Sequence, residues 1–165
     1  MTRAMKYVCC AVVLPALLVS EAAPVAKLAT KKALTLEVAK EIAAASGQFA
    51  KKNRWNVVIA IVDDGGHLFY LERMDGVQTG SIEVAIRKAK TAAAFKRPTK
   101  LFEEAVAEGR TVLVALPGGM PFEGGVPISV DGQVIGAVGI SGVTAQQDGM
   151  IAQAGVDALP KILQR

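Results

Sequence analysis

The 165-residue sequence predicts one α/β (α+β) domain in which an antiparallel sheet of about five strands carries helices on both faces. Two observations favour this class. Short glycine-containing turns connect successive β-type segments, and such hairpins make neighbouring strands antiparallel. Residues 57–62 are apolar at every position, which is typical of a central strand covered on both sides. Hydrophobic residues form 52% of the chain, enough to build the core of such a domain.

The N-terminus has the pattern of a secretory signal peptide. Arg3 and Lys6 precede an uncharged run over residues 7–20, and small residues stand just before Ala23. A basic start, an apolar stretch of about 7–15 residues and a small-residue cleavage site define such signals. We therefore predict a signal peptide over residues 1–22, cleavage after Ala22, and export to the periplasm or the exterior. The apolar run is short for a spanning helix and holds Pro15, so no stable membrane insertion is expected after cleavage.

Cleavage would change the chemistry open to the mature chain. It would remove Cys9 and Cys10, the two cysteines, and so exclude disulfides and thiolate ligands. It would also remove two basic residues and one acidic residue, lowering the net charge of +4 by one. The remaining basic residues are dispersed and not interleaved with aromatics, so no nucleic-acid partner is expected.

The first half of the domain is predicted in order along the chain. Residues 23–33 suggest a flexible leader, and the domain itself spans residues 34–165. Apolar residues at helical spacing predict a helix over about 36–52, with Thr35 as its N-cap. The buried strand at 57–62 then turns through Gly65 and Gly66 into a hairpin partner at 68–72.

Two helices and a strand are predicted next. A helix over about 80–96 carries alanines and isoleucines on its inner stripe, and Arg87, Lys88 and Lys90 are assigned largely off that stripe. Thr99 is expected to cap a short third helix through Glu108. The β-branched run from 111 to 116 predicts another strand.

The C-terminal part begins with a loop of glycines and prolines over residues 117–127. A hairpin follows, with strands at 128–130 and 133–140 joined by an Asp-Gly turn. Gly136 and Gly139 inside the second strand leave room for close approach of a helix or a ligand. Thr144 and Gln147 form a capping box that opens the last helix, and Pro160 should kink or fray its end.

His67, the single histidine, is the first candidate for chemistry because the glycine turn places it on the rim of the hairpin. One histidine and no mature cysteine argue against a zinc site, which needs three or four protein ligands. Haem needs only one or two protein ligands and an apolar slot. The alternative is an ordinary solvated turn residue.

Three further groups of residues are candidates for a ligand site. Arg73, Met74 and Asp75 follow the second strand, where Arg73 could hold a carboxylate and Met74 could face a ligand or an iron. The alternative there is an Arg–Asp pair that only fixes the loop. The loop over residues 118–125 lacks the Gly-Lys-Ser/Thr ending of a P-loop, so it is either a structural excursion or a flap over a flat ligand.

Ser141 and Thr144 lie between the last strand and the last helix. A serine hydrolase is a poor interpretation because Ser141 does not stand in a Gly-x-Ser-x-Gly motif with an adjacent base. The N-terminus of the last helix could instead receive an anionic group.

Five motifs taken in order resemble the GlcG/HbpS-like family of haem-binding or haem-degrading domains, which is also found at the C-terminus of some PduO-type corrinoid adenosyltransferases. The resemblance covers roughly residues 34–163. The motifs are the turn at 62–68, the Arg-Met-Asp-Gly segment at 73–76, the helix at 81–92, the segment Gly124-Gly125-Val126-Pro127-Ile128, and the last strand at 134–142.

The resemblance implies a profilin-like three-layer α/β/α sandwich on a five-stranded antiparallel sheet, a homo-oligomer, and haem as the ligand for some members. It therefore favours an exported haem-binding protein that sequesters haem or supports its slow degradation. His67 or Met74 would meet the iron, and Arg73 or Lys90 would pair with the propionates. Phe122 would face the ring, beside Gly124 and Gly125.

Two other functions stay open at this point. The first is an enzyme acting on a small organic acid, with Arg73 holding the carboxylate and Asp75 or His67 moving a proton. The second is a non-catalytic oligomeric protein with a regulatory role.

Overall fold

The computed structural model describes residues 26–164, and the chain from Lys31 onward forms one compact unit. The elements, in chain order, are α1 (Leu36–Lys52), β1 (Val58–Asp63), β2 (Leu68–Arg73), α2 (Ser81–Phe95), α3 (Lys100–Ala107), a 3₁₀ helix (Thr111–Ala115), β3 (Gly125–Val130), β4 (Gln133–Ser141), α4 (Ala145–Asp157) and α5 (Leu159–Ile162). The predicted signal peptide lies outside the described residues. No helix within the described part is long and apolar enough to cross a membrane.

The sheet has four antiparallel strands in the order β2-β1-β4-β3. The mixed α/β class and the antiparallel sheet are confirmed, whereas the predicted fifth strand at 111–116 is wrong. That segment is a 3₁₀ helix in which Leu113 N–H donates to the carbonyl of Arg110 at 3.1 Å. Val112 and Val114 are 73% and 64% exposed, so their β-branched side chains do not pack on a sheet. With its hydrogen bonds satisfied locally, the segment needs no strand partner.

β1 is the buried centre of the sheet, as its sequence predicts. Every residue from Val58 to Val62 is fully buried. Ile59 and Ile61 pack with the cluster that α1 and α4 contribute on one face. Val58, Ala60 and Val62 face the other side, where α2 supplies a row of alanines. Helices therefore cover both faces of the sheet.

Glycine at 139 sets the distance between α2 and the sheet. A Cβ atom at this position would stand 2.5 Å from the backbone nitrogen of Ala89 and closer still to the carbonyl oxygen of Ala85. No side chain larger than hydrogen fits there without moving the helix. The close approach predicted for this strand is thus made by a helix.

Two of the three predicted helix N-caps are present in the structure, and the third is not. Thr35 caps α1 by accepting from Val38 N–H at 3.3 Å, and the predicted capping box of α4 is present. Thr99 does not cap α3; its hydroxyl accepts from Gly125 N–H at 2.9 Å instead. Its side chain is used to join α3 to the start of β3, a long-range contact that local sequence does not reveal. Near Pro160, α4 ends and the short α5 follows.

The residues just before α1 contact the domain. Lys31 Nζ lies 2.6 Å from the carboxylate of Asp64, and Lys32 N–H donates to the side chain of Gln133 at 3.1 Å. Leu34 is 7% exposed and belongs to the core cluster. The segment 31–34 is therefore packed along the two hairpins.

Candidate functional site

The turn that carries His67 is built around the carboxylate of Asp63. Asp63 Oδ1 accepts from the backbone N–H of Gly65 at 2.9 Å and of His67 at 2.8 Å, and Gly66 adopts a φ of 79° that favours glycine. Burial acts to raise the pKa of Asp63, but hydrogen bonds from His67 and Gly65 and the charge of His67 outweigh it and lower the pKa. Asp63 therefore stays ionised and holds the turn in one shape.

The imidazole of His67 points into solvent. Its side chain is 83% exposed, and Nδ1 lies 3.3 Å from the Asp63 carboxylate. A carboxylate on Nδ1 favours the tautomer that carries its proton there, which leaves the Nε2 lone pair outward and available. The stem of Lys90 lies next to the same turn, since a Cβ on Gly66 would be 3.7 Å from Lys90 Cγ. The structure thus brings Lys90 and His67 to one turn.

Arg73, Met74 and Asp75 lie at the other end of β2, roughly 20 Å along the strand from His67. Arg73 donates to the carbonyl of Val77 at 2.8 Å and forms no ion pair with Asp75 among the described residues. Met74 packs into the core, with its methyl group beside Gly47. The structure does not bring this group together with His67.

Gly124 and Gly125 are buried at the start of β3, and Phe122 is 54% exposed in the loop before them. Gly124 has a φ of 126°, and a Cβ on it would stand 2.8 Å from the Nζ atom of Lys88 and from Cβ of Asp148. The absent side chain at 124 therefore makes room for a pair of charged groups.

That pair is the feature that the sequence interpretation missed. Lys88 Nζ on α2 lies 2.8 Å from Oδ2 of Asp148 in the first turn of α4, and both side chains are 3% exposed. Asp148 Oδ1 also accepts from Val143 N–H at 3.3 Å. Burial raises the pKa of Asp148 to about 6, because the loss of hydration outweighs the attraction of Lys88.

The placement of Lys88 off the inner stripe of α2 is wrong. Lys88 follows the buried Ala85 by three positions and precedes the buried Ala92 by four. Residues at this spacing share one helix face, so helical periodicity was the signal that could have placed Lys88 inside. A lysine at such a position needs a buried partner, which Asp148 supplies.

A cavity of about 270 Å³ adjoins this ion pair, and we call it the Lys88 cavity. Polar groups and apolar walls both line it; the lining residues are Val84, Lys88, Met120, Phe122, Ser141, Val143, Ala145 and Asp148. A neighbouring apolar cleft of about 540 Å³ shares Met120 and Phe122 with it and has Arg87 in its wall. Phe122, predicted as a ligand contact, thus lies between two concave surfaces.

Protein groups alone do not form a metal centre in the described part of the chain. No cluster of three or more histidine, cysteine, aspartate or glutamate side chains could hold an ion there. A prosthetic group that needs a single protein ligand is a different case, because His67 suffices for it.

Comparison with known proteins identifies the family of the chain. The family model described as "Haem degrading protein HbpS-like" matches residues 34–157. The chain belongs to the HbpS-like family. Protein GlcG of Escherichia coli is 49% identical over 112 residues, which cover 68% of this chain and 84% of GlcG. The predicted family resemblance is therefore confirmed.

Solved structures of HbpS-like relatives share the fold. A double mutant of HbpS from Streptomyces reticuli has a TM-score of 0.74 and 32% identity, and the match covers 85% of this chain and 99% of that one. A PduOC structure in complex with haem has a TM-score of 0.70 and 31% identity, over 77% of this chain and 95% of PduOC. The predicted relation to the PduO-type proteins is confirmed as well.

Proposed function

We propose that this HbpS-like chain binds haem. The observation that carries the proposal is the homologous PduOC domain crystallised with haem, supported by a family whose description is haem degradation. Both fit a chain that offers an accessible imidazole but no cluster of metal ligands in its described part.

His67 fits the chemistry of an axial haem ligand. Its Nδ1 faces Asp63, and this contact orients the ring with Nε2 outward, as carboxylates beside ligating histidines do. Leu68 and Phe69 follow directly and are 48% and 38% exposed, so apolar surface lies next to the imidazole. Bound haem would supply an iron centre capable of redox chemistry.

Lys90 fits a propionate partner better than Arg73 does. Lys90 is exposed beside the His67 turn, while Arg73 lies at the far end of β2 and is engaged with Val77. Met74 packs into the core at that same far end. We therefore assign His67 to the iron and Lys90 to a propionate.

Titration of the full chain with hemin tests the proposal. We expect saturation at one haem per chain with a Soret band typical of histidine ligation. His67→Ala should abolish that band, and Lys90→Ala should weaken binding about 3- to 10-fold through loss of a charge-assisted contact. Lys40→Ala, on the exposed side of α1, is the matched control and should bind as the wild type does.

Two results would contradict this assignment in different ways. No stoichiometric Soret band with the wild-type chain would remove haem binding itself. An unchanged band in His67→Ala would keep haem binding but move the iron ligand away from this turn.

We further propose that residues 1–22 direct export, on the basic and apolar pattern of the N-terminus. Expression of the full sequence in a Gram-negative host should give a periplasmic protein, and its intact mass should match a chain that begins at Ala23. A cytoplasmic protein that retains the whole N-terminus would overturn export.

A further inference from the structure

The ammonium group of Lys88 has more donors than the protein satisfies. A lysine ammonium carries three N–H donors, and among the described residues its one hydrogen-bond partner is Asp148 Oδ2. The residue is 3% exposed, so bulk water does not solvate it freely. Leaving donors of a buried charge unpaired is costly, which makes this end of the Lys88 cavity strongly favourable for an acceptor group.

Ser141 adds a second donor to the same cavity. It ends β4, is 7% exposed and lines the cavity. Ala145, the first residue of α4, also lines the cavity, so the positive end of a 13-residue helix is close by. Lys88, Ser141 and the start of α4 all favour negative charge on a ligand.

The opposite wall of the cavity is apolar. Val84, Met120 and Phe122 form it, and the cavity of about 270 Å³ is slightly smaller than typical sites for drug-sized ligands. This size suits a ligand smaller than a typical drug molecule. Because the cavity has one polar end and one apolar end, a fitting ligand has a polar group at one end and an apolar group at the other.

We propose that the Lys88 cavity binds a small monocarboxylate with a short apolar chain. The carboxylate would accept hydrogen bonds from Lys88 Nζ and Ser141 Oγ, and the chain would pack against Val84, Met120 and Phe122. None of the lining residues belongs to the His67 turn, so this site is proposed apart from the haem site.

The surroundings of Asp148 let a second carboxylate enter. Lys88 on α2 and Glu123 in the loop before β3 are the charged groups that act on Asp148, and its pKa is already raised to about 6. An incoming anion raises that pKa further, so Asp148 can take up a proton and release Lys88 to the ligand. Gly124 keeps the space beside the ammonium free of a side chain.

Methyl spectra of the full chain with ¹³C-methyl methionine locate the ligand directly. Isobutyrate is the probe, and isobutyramide is its neutral control of the same shape. We expect isobutyrate to shift the Met120 methyl signal saturably, while Met74 in the core and Met150 on α4 stay unchanged. Isobutyramide should bind at least about 10-fold more weakly, because it lacks the charge that Lys88 recognises.

Two variants test the assignment of the walls. Ser141→Ala should weaken isobutyrate binding about 5-fold, the usual effect of one lost hydrogen bond. Val84→Phe should fill the apolar end and abolish binding. Ser46→Ala, which removes a buried hydroxyl outside the cavity lining, is the matched control and should bind as the wild type does.

Several outcomes would overturn the site. They are absence of a Met120 shift, equal affinity for the acid and the amide, and unchanged binding in Ser141→Ala. If Val84→Phe fails to fold, the acid–amide comparison and Ser141→Ala still decide the matter.

Discussion

Asp148 is the one carboxylic acid that is buried among residues 26–164, and its environment opposes its ionisation. Lys88 and Val143 N–H both favour the charged form, but burial outweighs them and the pKa rises to about 6. The pair is therefore not a simple source of stability at neutral pH. Its position at the Lys88 cavity fits the ligand recognition proposed for the pair.

The raised pKa of Asp148 predicts a defined pH dependence of the free energy of unfolding. The native state holds the proton more tightly than the unfolded chain, so this contribution is fully present below about pH 4 and is lost as the pH rises through about 6. The loss should be on the order of 3 kcal/mol between pH 4 and pH 7. Urea unfolding of the wild type and of Asp148→Asn should be measured across this range. The loss appears as a change with pH in the difference between their free energies of unfolding. A difference that stays constant with pH would contradict the assigned pKa.

Sequence could predict single residues where the deciding contacts are local. The Asp63 to His67 turn and the Thr144–Gln147 capping box are closed by bonds within four positions, so their residue types determine them. The partner of Lys88 is 60 positions away, and nothing near Lys88 in the sequence names it. Helical spacing could still have shown that its side chain points inward.

At the scale of elements, the contact between α2 and the sheet depends on small residues on both sides. α2 presents the buried Ala85, Ala89 and Ala92, and β4 presents Gly139 directly beneath Ala85 and Ala89. Close packing of a helix on a strand in this way leaves no volume for an added methyl group. The same contact positions Lys88, which stands between these alanines on the helix.

Gly139→Ala should therefore be severely destabilising. The added Cβ would meet backbone atoms of α2, which cannot rotate away as a side chain would. We expect a loss of about 3 kcal/mol or more in the free energy of unfolding, measured by urea denaturation. Gly80→Ala is the matched control, since a Cβ there meets nothing within 4 Å and φ is −60°. It should change stability by less than about 1 kcal/mol. Equal effects of the two substitutions would show that the packing distance does not depend on Gly139.

The 3₁₀ helix at 111–115 shows why the sequence wrongly predicted a strand there. The run Thr-Val-Leu-Val-Ala has strong β propensity. Such propensity means that the side chains pack well on a half-buried sheet, but it does not provide a neighbouring strand. Here none of these residues is buried, and the backbone bonds with its immediate neighbours in sequence, as Leu113 N–H does with the carbonyl of Arg110. β1 gave the opposite result, because helices on both faces of the sheet bury its apolar run completely.

At the scale of the whole molecule, sequence predicted the layers and the hairpins but not how candidate residues would group. The unbroken apolar run at 57–62 and the turn chemistry of the hairpins predicted the antiparallel sheet with helices on both faces. The strand between His67 and Arg73 holds the two apart, while Gly124, Lys88 and Asp148 meet from three distant segments. Such convergence is a property of the three-dimensional arrangement.

The start of the domain can be located by truncation. Residues from Lys31 belong to the compact unit, and Leu34 is buried in the main core cluster while Thr35 caps α1. Removing residues 1–30 should leave the urea midpoint unchanged. Removing residues 1–35 should cost about 3 kcal/mol, from the burial of one leucine side chain and the loss of one helix cap. Leu34→Ala in the longer chain separates the two effects and should account for about 2 kcal/mol or more. Equal midpoints for both truncations would mean that the domain gains nothing from this segment, despite its contacts along the two hairpins.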